Sequence, residues 1–174
     1  MKLDEDTLVI GLGGNVGGDD AIKGRFQHAR MALEELGDRV RAAGLYRTAA
    51  IVQEGAAPQA DYLNTAVRVR VDEGVTPQQI YMTVREMEVL LGRDRRGEPR
   101  WGPRTIDLDV ILWGTRAFQT PELEIPHPRW GERLFVVRPL MDLFGEEAII
   151  AGEKLGTLAQ RLAEQRVELV SDRW

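Results

Sequence analysis

The sequence contains no cysteine. That excludes disulfides, thiolate metal sites and thiol nucleophiles, and it suits a reducing, cytoplasmic setting. No apolar run approaches membrane-spanning length, so neither a transmembrane helix nor a membrane partner is expected. The first residues, Met-Lys-Leu-Asp-Glu-Asp, are acidic and lack the basic-then-apolar order of a signal peptide. Lysine is scarce, with three against 20 arginines, and the net charge is -5. A general nucleic-acid binder needs a broad basic surface, so no nucleic-acid partner is expected. No Gly-x-x-x-x-Gly-Lys-Ser/Thr occurs, which excludes a P-loop. A dinucleotide fingerprint also fails: after Gly11 and Gly13, Val16 stands where a glycine belongs, and no acidic residue ends the next strand candidate. There is no repeat, low-complexity tract or linker, so residues 1–174 are expected to form one catalytic domain.

What the chain does have is a local concentration of charge. From Thr105 to Leu112 the residues alternate with the period of a strand. Ile106, Leu108, Val110 and Leu112 would point to one face, and Asp107 and Asp109 to the other. The two carboxylates would lie roughly 6–7 Å apart along the strand. Burying such a pair is costly, and a divalent cation with oxygen ligands removes that cost. Arg93, Arg95, Arg96, Arg100 and Arg104 lie just upstream. Carboxylates for metal with arginines beside them suggest a polyphosphate held through Mg²⁺.

The remaining segments supply a frame. Thr7–Gly13 reads as a buried strand. A helix follows, with Asp19 or Asp20 as cap, an apolar stripe of Ile22, Phe26, Ala29, Leu33 and Leu36, and Gly37 as its stop. Residues 39–48 read as a second strand and 49–61 as a long loop of the kind used as a lid. In Tyr62–Val71, Leu63, Thr65, Val67, Val69 and Val71 share one face, while Tyr62, Asn64, Ala66, Arg68 and Arg70 share the other. A ring beside an amide can stack on and hydrogen-bond a flat heterocycle. The second helix starts at a capping box, Thr76 with Gln79, has Pro77 at its first position, and stops at Gly92. Farther on come a turn at Gly114-Thr115, an extended stretch over 121–128, a helical stretch over 130–144 interrupted by Pro139, and a short helix over 156–165. His127 sits between two prolines, with Arg129 and Arg133 following, a combination suited to an anion.

The order strand, helix, strand, strand, helix, strand predicts an α+β, ferredoxin-like β-α-β-β-α-β sandwich. It has an antiparallel sheet, helices on both sides and extra C-terminal helices. Asp107 and Asp109 would then meet Tyr62 and Asn64 on one surface, with Gly11 and Gly13 leaving room between them.

With these residues in place, the chain resembles the 6-hydroxymethyl-7,8-dihydropterin pyrophosphokinases of folate biosynthesis. The likeness runs nearly end to end. It rests on Gly-Leu-Gly-Gly-Asn near the start, Tyr46-Arg-Thr48, Asp61-Tyr-Leu-Asn64, Glu88 before Leu91-Gly-Arg93, Arg-Trp-Gly-Pro-Arg-Thr-Ile-Asp-Leu-Asp, and Ile125-Pro-His-Pro-Arg129 with Arg133 and Phe135. The resemblance implies that Asp107 and Asp109 bind two Mg²⁺ ions with ATP as co-substrate. It implies that Arg93 and Arg104 contact the phosphates and, with the two aspartates, form the catalytic set. Glu88, Arg95, His127 and Arg133 would join Arg93 and Arg104 around ATP. Thr48, Tyr62, Asn64, Trp101 and Phe135 would hold the pterin, and Arg95 and Trp101 would belong to a closing loop. The expected state is a monomer. The chain departs from the family pattern at Gly14, where serine is common, at Ala49-Ala50, where proline is common after the threonine, and at Arg85, where glutamine is common.

Two other readings are open at this stage. A palm-type nucleotidyltransferase also places two carboxylates on such a sheet and would release pyrophosphate. An RNA-binding domain of the same strand and helix order would need exposed aromatics and a basic face.

Overall fold

The computed structural model describes residues 3–52, 55, 57–98 and 102–174. Strand β1 (Thr7–Gly14) leads into helix α1 (Gly18–Leu33), and a 3-10 turn, Glu34–Leu36, follows. Strands β2 (Gly37–Ala42), β3 (Leu45–Thr48) and β4 (Tyr62–Val71) precede helix α2 (Pro77–Leu90) and strand β5 (Asp107–Trp113). A small hairpin, β6 (Phe118–Gln119) and β7 (Glu124–Ile125), leads through a 3-10 turn to helix α3 (Leu134–Phe144). A second hairpin, β8 (Ile149–Ile150) and β9 (Glu153–Lys154), precedes helix α4 (Leu155–Arg161) and strand β10 (Glu168–Ser171).

The main sheet has the order β10-β3-β4-β1-β5, with β2 also paired to β4, and its pairings are antiparallel. Leaving out β10, this is the ferredoxin-like arrangement, extended at one edge by the chain's last strand. One sheet face carries α1 and α2. There Phe26, Leu33, Ile80 and Val84 pack on Leu8, Ile10, Leu63, Val67 and Leu108. The other face carries α3 and α4, whose Leu134, Val137, Leu140 and Leu158 pack around Val9, Ala66 and Ile111. Among the described residues, no helix is long and apolar enough to cross a membrane.

Several local expectations need correction. Helix α1 is capped by Gly17, in the left-handed conformation, and not by Asp19 or Asp20. Those two aspartates sit in the first turn, where they favour the helix dipole, and Asp19 also pairs with Arg47 at 2.7 Å. Gly37 opens β2 instead of ending α1, because the 3-10 turn intervenes. The expected strand over 39–48 is two strands, with Arg39 at φ 54° and a shifted register between Asp38 and Arg41. Leu112 does not share a face with Val110. The register slips where Val9 pairs with Leu112 and Ile10 with Val110, so Ile111 is an extra residue. Such a bulge turns the strand over: Val110 lies in the core under α1 and α2, and Leu112 in the core under α3 and α4. Pro139 lies inside α3 without interrupting it. The missing N–H costs one helical bond, and burial of Val136, Val137, Leu140 and Leu143 around it outweighs that loss.

The capping box of α2 is present as expected. The Gln79 backbone N–H donates to Thr76 Oγ1 at 3.2 Å, and the Thr76 N–H donates to Gln79 Oε1 at 2.9 Å. Thr76→Ala should therefore lower unfolding free energy by about 1 kcal/mol, and Thr76→Ser should retain nearly all of it. Urea denaturation of the three proteins checks both values.

Candidate active site

The sheet builds the site by register. Across β5, β1 and β4, Asp107 pairs with Gly13 and Gly13 with Asn64. One step along, Asp109 pairs with Gly11 and Gly11 with Ala66. Paired residues on neighbouring antiparallel strands project to the same face, so two carboxylates and an amide border a floor of two glycines. Asp107 and Asn64 sit two strand spacings apart, about 10 Å. The glycines widen the opening. A Cβ on Gly13 would lie 3.3 Å from Asn64 Oδ1, and one on Gly11 would lie 3.1 Å from Ile111 Cδ1. The resulting cleft is lined by Asn64, Asp107, Asp109, Arg133 and Phe135 among others. Gly11 and Gly13 are thus residues within β1, not a phosphate loop.

Asp107 is engaged on both oxygens, by Arg93 Nη1 on one and Arg104 Nη1 on the other. Behind it lies Glu88, 1% exposed, projecting from α2. Its carboxylate accepts the Leu108 backbone N–H at 2.9 Å, Arg85 Nη1 at 2.6 Å, Arg95 Nε at 2.9 Å and Nη2 at 3.0 Å, and also Arg93 Nη1. Burial pushes the Glu88 carboxyl up, while the Leu108 N–H and the guanidinium groups of Arg85 and Arg93 pull it back. A carboxylate with this many donors is charged. Burial works against charge on Arg93 too, but Asp107 and Glu88 hold its guanidinium above the ordinary value. Glu88 therefore serves as an anchor for arginines, a role that its place among the expected ATP residues did not reveal. Arg85, a departure from the family pattern, belongs to the same cluster and stacks 5.3 Å over the Tyr81 ring.

Asp109 is differently placed. Among the described residues its carboxylate has no hydrogen-bond or ion-pair partner. Burial, and then the neighbouring Asp107 charge, push its carboxyl above the ordinary 3.8, opposed by His127 and Arg133. Burial pushes the His127 imidazole down, and Asp109 opposes that shift. The Arg129 backbone N–H donates to His127 Nδ1 at 3.0 Å, which leaves the proton of the neutral ring on Nε2. The His127 N–H itself is held by the Ile111 carbonyl at 2.8 Å. Arg133 lies 5.7 Å over the Phe135 ring at the cleft wall.

On the far side of the glycine floor, Asn64 Nδ2 donates to Thr48 Oγ1 at 2.9 Å, and Thr48 pairs with Tyr62 across β3 and β4. The Tyr62 hydroxyl donates to the Gly102 carbonyl at 3.1 Å, joining this side to the arginine segment. Trp101 lies outside the described residues. Asn15, 5% exposed, also serves the site. Its Nδ2 donates to the Ala60 carbonyl at 3.0 Å, its N–H to the Arg104 carbonyl at 2.9 Å, and its Oδ1 accepts the Arg104 N–H at 2.8 Å. It thus pins the ends of both long loops, which its place in Gly-Gly-Asn could not disclose.

The donor set fits Mg²⁺ held mainly by a ligand. Among the described residues no cluster of three His, Asp or Glu side chains could hold an ion alone. Mg²⁺ commonly takes one or two carboxylates, with water and substrate phosphates completing its shell. Asp109 offers such oxygens directly. To hold an ion, Asp107 would exchange an arginine for it, and a phosphate would receive the arginine so released.

An antiparallel ferredoxin-like sheet with paired carboxylates, a cluster of arginines and an amide pocket in one cleft defines a phosphate-handling α+β domain. The chain belongs to the 7,8-dihydro-6-hydroxymethylpterin-pyrophosphokinase family, whose model matches residues 9–145. It is 38% identical over 136 residues to the 2-amino-4-hydroxy-6-hydroxymethyldihydropteridine pyrophosphokinase of Synechocystis sp., covering 78% of this chain and 65% of that protein. It is 34% identical over 139 residues to the enzyme of the same name from Bacillus subtilis, covering 77% of this chain and 75% of that one. Among solved structures, Plasmodium falciparum HPPK-DHPS A437G has a TM-score of 0.66 at 12% identity, covering 91% of this chain and 46% of that one, and so shares the fold.

The Asp109 environment gives a signed pH prediction. A carboxyl whose folded pKa is raised destabilises the fold as pH climbs from the unfolded value through the folded one, and the full penalty remains above that. In EDTA at pH 7, Asp109→Asn should therefore melt at a higher temperature than the parent protein. The gain should shrink towards zero as pH falls below about 4. Calorimetric melting over pH 3–8 measures it, and a gain that grows on acidification would contradict the assignment.

Proposed function

We propose that this chain transfers the diphosphate of ATP to the hydroxymethyl group of 6-hydroxymethyl-7,8-dihydropterin and releases AMP, as a step of folate biosynthesis. The observation that carries this reading is the row Asp107-Gly13-Asn64 across three strands. It puts a phosphate-and-metal edge and an amide edge on one floor. The names of the relatives from Synechocystis and Bacillus support it.

The nucleotide belongs on the β5 side. There Arg93 and Arg104 flank Asp107, Arg95 is anchored on Glu88, and Arg133 and His127 lie near Asp109. The pterin belongs on the β4 side, where Asn64 and Thr48 present polar edges and Tyr62 and Phe135 supply rings. Trp101 is assigned to the same pocket by resemblance. Asp107 and Asp109 would hold two Mg²⁺ ions, whose charge would offset that of the phosphates. The pterin hydroxymethyl oxygen forms the new bond to the β-phosphorus of ATP and gives up its proton to solvent, the bond from that phosphorus to the α-phosphate oxygen breaks, and AMP leaves. Such transfer depends on positioning and on charge stabilisation. Arg93 and Arg104 supply both, and loss of one such contact costs about 3 kcal/mol of barrier.

A monomeric, single-domain enzyme is part of the proposal, since one sheet brings Asp107, Asp109 and Asn64 to a common floor. Part of the sheet face that an RNA-binding domain would leave open is covered by α3 and α4, which weighs against RNA. With ATP, Mg²⁺ and the hydroxymethyl pterin, the protein should form AMP one-for-one with pterin diphosphate, read by chromatography. ADP, or free pyrophosphate with a nucleotidylated product, would reject the proposal. Asp107→Ala and Asp109→Ala should each lower kcat by about 100-fold or more while leaving the circular dichroism spectrum unchanged.

A further inference from the structure

We infer that Arg25 is a positioning residue for the transfer reaction, holding the backbone from which Arg104 reaches Asp107 and the phosphates. This rests on the reading of Arg104 given above. Arg25 projects from α1, 80 positions before Thr105 in the chain, yet its Nη1 donates to the Thr105 carbonyl. Its Nη2 donates to the Val16 carbonyl at 2.5 Å. Among the described residues no carboxylate pairs with Arg25. Its charged fork is therefore spent on two backbone oxygens, one in the turn after β1 and the other at the entrance to β5.

The adjoining contacts make this a clamp on one short segment. Asn15 takes both the N–H and the carbonyl of Arg104, and Arg25 takes the next carbonyl. Three backbone groups of two consecutive residues are thus held, where the long arginine segment ends and two residues before the carboxylate strand begins. The close approach depends on glycine at two places. A Cβ on Gly14 would lie 2.9 Å from the Thr105 oxygen. Gly17 has φ +91°, and a Cβ there would lie 2.8 Å from Arg25 Nη2. The turn after β1, which resembles a failed phosphate loop in the sequence, is shaped instead to receive Arg25 and the Thr105 carbonyl.

Arg104 is a long side chain whose reach is set by its backbone. Displacements of about 1 Å at a reacting centre can cost about 100-fold in rate. An unclamped Arg104 backbone would leave the guanidinium free to miss the phosphate, while Asn64 and Phe135 across the cleft would be undisturbed. The expected signature is loss in turnover with little change in pterin affinity.

The test is a double-mutant cycle with steady-state kinetics. Arg25→Ala should lower kcat by about 10-fold, with the pterin KM within about twofold of the parent. Arg25→Lys, which keeps one donor for the Thr105 carbonyl, should recover most of that loss. In an Arg104→Ala background, Arg25→Ala should slow the enzyme no more than about twofold further, because residues acting as a unit are non-additive. A full additional 10-fold loss in that background, or unchanged kcat in the single variant, would overturn the inference. Should Arg25→Ala fail to fold by thermal melting, Arg25→Gln carries the same comparison. A parent protein that makes no AMP would refute the functional reading itself, whereas an active parent unaffected at Arg25 would refute only this inference.

Discussion

The buried Glu88 carboxylate is the interaction on which the rest of the site depends. It sits at the end of α2, under the sheet, in a place where an uncompensated charge would be costly. Its compensation is also its use. The Leu108 N–H fixes it to the carboxylate strand, and Arg85, Arg93 and Arg95 converge on it from the helix and the following segment. One buried anion therefore sets where three cations begin. Arg93 passes the constraint on by bridging Glu88 to Asp107.

The sheet separates stability from chemistry. Its face towards α1 and α2 is mostly apolar, with Thr65 and the Arg47–Asp19 pair as its polar members. The opposite face is apolar only where α3 and α4 cover it, and at the other end it turns to glycine, amide and carboxylate. The bulge at Ile111 marks that division on β5: before it the strand shows Asp107 and Asp109 to the cleft, and after it Leu112 joins the core beneath the last helices. Charge repulsion between the aspartates is offset unequally. Asp107 has two arginines, whereas Asp109 relies on a more distant histidine and arginine. That asymmetry leaves Asp109 the better prepared to receive a cation and Asp107 the better prepared to exchange an arginine with a phosphate.

Much of this was legible from residue order. Strand β4 and helix α2 were readable because their periods are clean and their ends carry turn residues or a capping box. The meeting of Asp107, Asp109, Asn64 and the two glycines followed from alternation once the ferredoxin-like order was assumed. What escaped was set by long-range contact. Strand β10 pairs with β3 across more than half the chain, and four residues with little pattern carry no local signal for that. The split between β2 and β3, the bulge at Ile111 and the unbroken α3 around Pro139 all arise where tertiary packing overrides a local rule. In the site, the residue types around Glu88 and Asn15 were visible, but not their partners. A side chain that serves by holding another shows no spacing that distinguishes it from an ordinary surface residue.

The central claim is that the Asp107–Asp109 edge and the Asn64 pocket are two ends of one cleft, so that a metal-bound nucleotide and a pterin meet there. The most direct measurement replaces Mg²⁺ with paramagnetic Mn²⁺ in the complex with a non-hydrolysable ATP analogue and follows the proton resonances of the bound hydroxymethyl pterin. Strong relaxation of the hydroxymethyl protons, lost when both Asp107 and Asp109 are replaced by Asn, is the expected result. A pterin that binds without feeling the metal would place the two ligands in separate sites and contradict the account.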